Sequence, residues 1–255
     1  MGVRLSANTF LGLDVLGATV EAAGLLADHG QVGMLRQVDP VDGRQNFQLM
    51  SFGVRVAKGG RLDLSGSRIS RMIVAGAVVS RPAARLVAEG VLIDHTLAEG
   101  IGGHWGLGLL VSDGGLAQVG DSTLMANRTG AALAIAANLE VDRSLIAVTP
   151  PADYKRSASS PSATLADGII VGPDATLTPR DTMLRDQPRS GVLVEPTGKA
   201  TVSTCTITGN GFGVVSQQGA QVNIERSAIW NNAVQNVIVD QEFAVPAPPI
   251  AVGGP

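Results

Sequence analysis

Two of the three histidines, His95 and His104, fall in one stretch, DHTLAEGIGGHW, with Asp94, Glu99 and Trp105. A second polar stretch carries Asp153, Tyr154, Lys155 and Arg156. The short segment RDQPRS adds Arg185, Asp186 and Arg189, and an earlier stretch holds Asp39, Asp42, Arg44 and Phe47. Such groups could move protons: a His, Tyr, Lys or Arg can act as a base, and a carboxylate as acid or base. Aromatic rings set among charges and amides would also suit a sugar chain lying across them. The catalytic candidates are Asp94, His95, His104, Tyr154, Lys155 and Arg156. The ligand-binding candidates are Trp105, Tyr154, Arg156, Arg185, Asp186 and Arg189.

Other motifs fail on inspection. TGKA at 197–200 has the look of a phosphate loop but lacks the upstream Gly and ends in Ala. GNGFG at 209–213 has dinucleotide-like glycines, yet no helix follows to offer its N-terminus to a phosphate. No pair of histidines has zinc-site spacing with a third ligand, so no metal site is expected. The single cysteine, Cys205, excludes an internal disulfide. A net charge of −3 offers no basic surface for a phosphate backbone, so nucleic acid is not expected as a partner. No apolar run reaches the length of a membrane span.

The elements that must position these groups come from a repeat. Gly followed by alternating apolar residues starts at Gly2, Gly24, Gly53, Gly76, Gly108, Gly130, Gly168, Gly191 and Gly213, with a degenerate start at Asn236. Successive spacings are 22, 29, 23, 32, 22, 38, 23, 22 and 23 residues. A second phrase, apolar-x-apolar-x-x-small-x-apolar, follows most starts. Its copies include Leu62/Leu64/Ser67/Ile69, Leu139/Val141/Ser144/Ile146, Ala200/Val202/Cys205/Ile207, Val222/Ile224/Ser227/Ile229 and Leu13/Val15/Ala18/Val20. Period-two alternation means strands with one buried face. A unit of 22 residues cannot close a core alone, so neighbours must stack. The expected fold is all-β: a right-handed parallel β-helix of about nine to ten coils over residues 1–241, with a Pro-rich tail or linker at 242–255. Cys205 shares its slot with Ser67, Ser122, Ser144, Thr182 and Ser227, which predicts a buried ladder of small side chains. Asn127, Asn210 and Asn231 are expected in turns, where Asn bonds its own backbone.

The recurring G-V-x-V and S-x-I phrases, with these turn asparagines, resemble the right-handed parallel β-helix repeat proteins of the pectate lyase-like superfamily. The resemblance covers Gly2 to about Val239. It implies comparison with enzymes in which acidic residues hold calcium against a uronate carboxylate and a basic residue abstracts a proton. LIDHT, Leu92 to Thr96, looks like part of a pectate lyase signature, with Asp94 and His95 at the matching positions. Leu92 stands where that family has a larger aromatic, and no acidic cluster accompanies the pair. Calcium is therefore expected only if the chain is a lyase; otherwise no cofactor is. Glycoside hydrolysis needs two carboxylates at a defined separation. No Asp-Asp pair is present, and GGHW is not the Gly-His-Gly segment of the pectin-hydrolysing relatives. Leucine-rich repeats, left-handed hexapeptide helices and a β-sandwich fit the frame or spacing less well.

The three long spacings predict insertions at one edge of the rod, on alternate coils, within Gln37–Phe52, Asp94–Leu107 and Ala147–Asp167. Insertions clustered on one face of a repeat protein often mark a binding face, and the second and third are expected to bracket a shallow groove. MGVRLSANTF lacks the pattern of a signal peptide, so the chain reads as a domain cut from a larger secreted or cell-surface protein with flanking domains. The expected function is a non-catalytic extracellular module, a rigid scaffold and/or binder of polysaccharide or cell-surface glycan. The alternative is a polysaccharide lyase or hydrolase acting beside the insertions.

Overall fold

A computed structural model of the chain describes residues 4–6, 11–30, 33–38, 45–98, 106–154 and 163–240. They form a right-handed parallel β-helix, the hand that parallel crossover connections take almost without exception. A typical coil runs through Val74–Ser80, Arg85–Glu89 and Leu92–Asp94, one strand in each of three sheets. The second sheet has 8 strands, the third 9, and the first 10, one of them the off-path arm Gly33–Val38. The third sheet gains Arg4–Ser6 at one end and the first gains Gln235–Val239 at the other. Eight complete coils therefore lie between two lone strands.

Alternation fixes which side chains face inward. In Arg61–Ser65, Leu62 and Leu64 are buried while Asp63 points outward, and in Asn138–Asp142 the buried pair is Leu139 and Val141. Strand ladders stack like on like: Leu62 pairs in register with Leu86, which pairs with Ala117 and then Leu139. The core is thus a set of columns parallel to the rod axis, each offering a side chain every ~4.8 Å.

The recurring glycine has a steric cause. A β-carbon at Gly53 would lie 2.4 Å from Cγ2 of Ile69 and 2.9 Å from the carbonyl oxygen of Gly76 in the next coil. The same clash recurs from Gly76 to Ile93 at 2.6 Å and from Gly213 to Ile229 at 2.6 Å. The first-sheet glycine and the isoleucine of the S-x-I phrase therefore face each other across the interior. Two of the expected starts are corrected by this frame. Gly24 is not a start. It is a left-handed corner, φ +65°, between Thr19–Ala23 and Leu26–Asp28, while the glycine in register with Gly53 is Gly12, flanked by the pairs Leu11–Phe52 and Leu13–Val54. Glycine serves close approach and left-handed corners alike, so its position in sequence could not distinguish them. In the fifth coil the column holds Ala131, not Gly130, because Leu107 pairs with Gly130 and Leu109 with Ala132. Gly2 lies outside the described residues. Leu13 and Val15 belong to the first sheet, so the second phrase of that coil is Val20, Ala22 and Ala27.

Polar ladders complete the interior. Ser122 Oγ donates to the Gly120 carbonyl (2.6 Å) and accepts from the Val91 amide (3.0 Å). Ser67, Ser144 and Ser227 repeat both bonds, and Cys205 takes the same slot, its amide donating to Ser227 Oγ at 3.1 Å. A second ladder runs through Asn127, Gln187, Asn210 and Asn232, each accepting from the backbone amide of the equivalent residue one coil earlier. Asn127 and Asn210 are buried rungs rather than turn surface, and the last rung is Asn232; Asn231 is the left-handed corner beside it.

The insertions leave from one edge, between the third sheet and the next first-sheet strand, with a plain coil between each pair. The first is a β-hairpin that begins earlier than the sequence suggested. Gly33–Val38 pairs antiparallel with the first half of the 13-residue strand Gln45–Ala57. The third also contains a hairpin, Ala152–Tyr154 against Ala163–Leu165.

Candidate functional site

Asp94 ends a third-sheet strand, and His95 is the corner that follows, with φ +56°. The same corner is left-handed in every complete coil, from His29 and Arg71 through Asp186 to Asn231. Two coils earlier Asp28 and His29 hold the equivalent positions, since Asp28 and Asp94 both pair with Ser70. Each histidine sets Nδ1 3.0 Å from Oδ2 of its own aspartate. The intervening coil supplies two arginines. Arg71 reaches back to Asp28 (2.9 and 2.6 Å) and Arg68 forward to Asp94 (3.3 and 2.7 Å). Both carboxylates are buried, and both imidazoles are more than half exposed. The Arg71 hydrogen bond holds the Asp28 carboxyl below the usual range against the cost of burial. Burial pushes Asp94 upward, and its bonds to Arg68 and His95 outweigh that, so it too is lowered. The Asp-His pair was legible in sequence. Its echo at Asp28-His29 was legible only as a second DH dipeptide, because an insertion hides the true spacing.

The remaining candidates that the structure describes lie apart from Asp94. His104, Trp105, Lys155 and Arg156 lie outside the described residues, and Tyr154 ends a hairpin strand opposite Ala163. Arg185 shares the column of Asp94 but sits three coils further on, ~14 Å away by strand spacing. It is paired with Asp186 at 2.6 Å, both partly exposed. Arg189 is mostly buried, with Nε 2.8 and 3.0 Å from the two oxygens of the wholly buried Asp167, which also accepts from Ser190. Its guanidinium anchors the start of two first-sheet strands. Cys205 is buried, its thiol pushed up by burial and donating to the Ser203 carbonyl at 3.2 Å, which suits a ladder rung and not a nucleophile.

A concave surface lies elsewhere, on the outer face of the second sheet. Two depressions of about 390 Å³ and about 400 Å³ meet at Val87 and Glu89. One extends toward Asp63 and Glu21, the other toward Gln118, Glu140, Thr178 and Arg180. Five coil steps separate Glu21 from Thr178, ~24 Å. Arg85 donates to Gln118 Oε1, and Gln118 Nε2 donates to Glu140 Oε2 at 2.7 Å, tying three coils together. The carboxylate of Glu89 lies flat over Gly120, where a β-carbon would be 2.5 Å from both its oxygens. These residues are the outward positions of the second phrase, as in Leu139-Glu140-Val141-Asp142. The signal that could have found them is the stacking of those polar positions one coil apart.

Glu195, just past the strand Ser190–Val194, is strongly displaced in its titration. Burial pushes it up to about 7, with nearby Arg189 opposing. Among the described residues no group of three or more His, Cys, Asp or Glu could hold a metal ion. No helix among them is long and apolar enough to cross a membrane. No protein-family model matches the chain, and a search of curated proteins gives no match.

Proposed function

We propose that the chain is a non-catalytic β-helical module, a rigid scaffold at the cell surface or in the secreted space that binds polysaccharide along the second-sheet trough. The carrying observation is the trough itself: two joined depressions along the rod, with carboxylate, amide and hydroxyl side chains recurring at coil intervals. Such spacing suits a periodic polymer of hydroxyl groups, each able to donate to Glu89, Glu140 or Thr178. The resemblance to the pectate lyase-like superfamily favours the same class of partner. Support for a non-catalytic role comes from the described acids beside the insertions. Asp28, Asp94 and Asp167 are all engaged by arginines, which leaves none of them ready to act as acid or base.

The test is binding by affinity electrophoresis and calorimetry on neutral and acidic polysaccharides, with reducing ends and unsaturated uronate absorbance followed in parallel, with and without calcium. Binding without product is expected. Glu140→Ala and Gln118→Ala should each weaken it about tenfold, the equivalent of 1.4 kcal/mol. Reducing ends with new absorbance would establish a lyase, reducing ends alone a hydrolase, and no retention on any glycan would leave only the scaffold.

A further inference from the structure

The second-sheet trough carries an uneven charge. Its lining holds the carboxylates Glu21, Asp63, Glu89, Glu140 and Asp142 against one cation, Arg180. Asp63 and Asp142 are already neutralised: Arg61 Nε lies 3.0 Å from both oxygens of Asp63, and Arg143 is paired with Asp142. The three glutamates are exposed and have no ion-pair partner among the described residues. Glu140 accepts from the neutral amide of Gln118, and Glu89 lies over Gly120, which has no side chain to cover it. The glutamates also recur at a fixed interval. They stand on Thr19–Ala23, Arg85–Glu89 and Asn138–Asp142, alternate strands of the sheet, with Arg61–Ser65 and Leu116–Gly120 between them. Two coil steps, ~9.6 Å along the rod, therefore separate each glutamate from the next. Glu21 and Glu140 share one outward column through Asp63, Val87 and Gln118, and Glu89 stands at the next outward position along its strand.

On the reading of the trough as a polysaccharide site, we infer that its ligand is an amino-sugar polymer with free, protonated amines. An ammonium group brings N–H donors and no acceptor, which is what an unpaired carboxylate requires. Hydrogen bonds between two charged groups are about twice as strong as neutral ones, so the glutamates favour an ammonium over a hydroxyl or an acetylated amide. The two-coil interval is comparable to the length of two linked sugar rings in an extended chain, so one polymer strand can meet Glu21, Glu89 and Glu140 in turn. A polyuronate would set its own carboxylates against the same three groups, and like charges brought together across an interface cost affinity. Arg180 does not reverse this balance, because it stands at one end of the trough, next in register to Asp142. The charge of the trough thus selects among glycans that its shape alone would accept.

The experiment measures, by calorimetry on the full chain, binding of a glucosamine oligomer, its fully N-acetylated counterpart and an oligogalacturonate of matched length. The pH keeps the amines protonated, and each titration is run at low and at high salt. At low salt the glucosamine oligomer should bind about tenfold more tightly than the acetylated one, with the oligogalacturonate weakest. High salt should shrink that advantage by screening exposed charges. The Glu21→Gln/Glu89→Gln/Glu140→Gln variant keeps side-chain shape and should bring the ratio of the two oligomers below about twofold, with far-UV circular dichroism unchanged. Should it lose that signal, the three single changes provide the same comparison, each lowering the ratio about twofold. Equal or tighter binding of the acetylated oligomer or of the oligogalacturonate would overturn the inference and leave the trough a glycan site. A preference for amines that survives the glutamine changes would also overturn it, since the net charge of the chain would then be the cause. No binding of any of the three would overturn the reading of the trough itself, and the inference with it.

Discussion

Gly191 and Ile207 face each other across the interior of one coil, so closely that a β-carbon on Gly191 would lie 2.7 Å from Cγ2 of Ile207. It would also lie 2.8 Å from the carbonyl oxygen of Gly213 in the next coil. The two phrases that recur along the sequence are therefore two sides of one packing contact. Gly191→Ala should cost about 1–3 kcal/mol by overpacking. Because the clash is shared, Gly191→Ala/Ile207→Ala should cost less than the sum of the two single changes, as read from a urea-denaturation cycle.

The serine ladder predicts a loss of similar size from one oxygen atom. Ser122→Ala leaves the buried Val91 amide without its acceptor, at about 1–3 kcal/mol. Cys205→Ser keeps the rung and should change stability by less than about 1 kcal/mol. The Cys205 thiol, buried and raised, should resist alkylation at neutral pH until the chain unfolds. Rapid labelling of the native protein would show that the column is open.

Stability should fall as pH rises through the Glu195 range. Its carboxyl titrates near 7 in the folded chain against an ordinary value of 4.5. Below about 4.5 the group is protonated in both states, and above about 7 the folded state carries a buried charge that the unfolded state solvates freely. Glu195→Gln should therefore gain on the order of 1–3 kcal/mol relative to the parent at pH 8 and nothing at pH 4. Thermal melts of both proteins across that window check the sign.

Asp28 and Asp94 act in the opposite direction. Their folded values lie below the ordinary 3.8, so their contribution is present above that value and is lost as pH falls through the folded one. Removing the partner should do more damage than removing the charge. Arg68→Ala leaves the buried Asp94 carboxylate with only the exposed His95 ring as its ionisable partner, at about 3 kcal/mol, whereas Arg68→Ala/Asp94→Asn should recover part of the loss. His95→Ala, with its ring more than half exposed, should change stability by less than about 0.5 kcal/mol.

The architecture was legible because a solenoid writes its cross-section into every repeat. Alternation assigned the faces of strands such as Leu62–Leu64 and Leu139–Val141. The shared slot of Ser67, Ser122, Ser144 and Cys205 announced the ladder, and the long spacings located the insertion edge. Where one residue type serves two backbone needs, as glycine does at Gly12 and Gly24, the sequence could not say which was which. Charge partners were also hidden. Asp94 meets Arg68 from the preceding coil, and Asp167 meets Arg189 from the following one. These pairs are 26 and 22 residues apart in sequence and adjacent only through stacking.

The sequence alone thus determined the coil, its inward columns and the edge where it is interrupted, because period-two burial and turn chemistry act over a few residues. Only the tertiary structure decided which polar side chains meet, which carboxylates are already neutralised by arginine, and that a concave surface lies on the second sheet. Those outcomes depend on register between coils. Register is set by the close approach of glycine backbones and the stacking of ladders, and insertions of unequal length remove it from any fixed spacing along the chain.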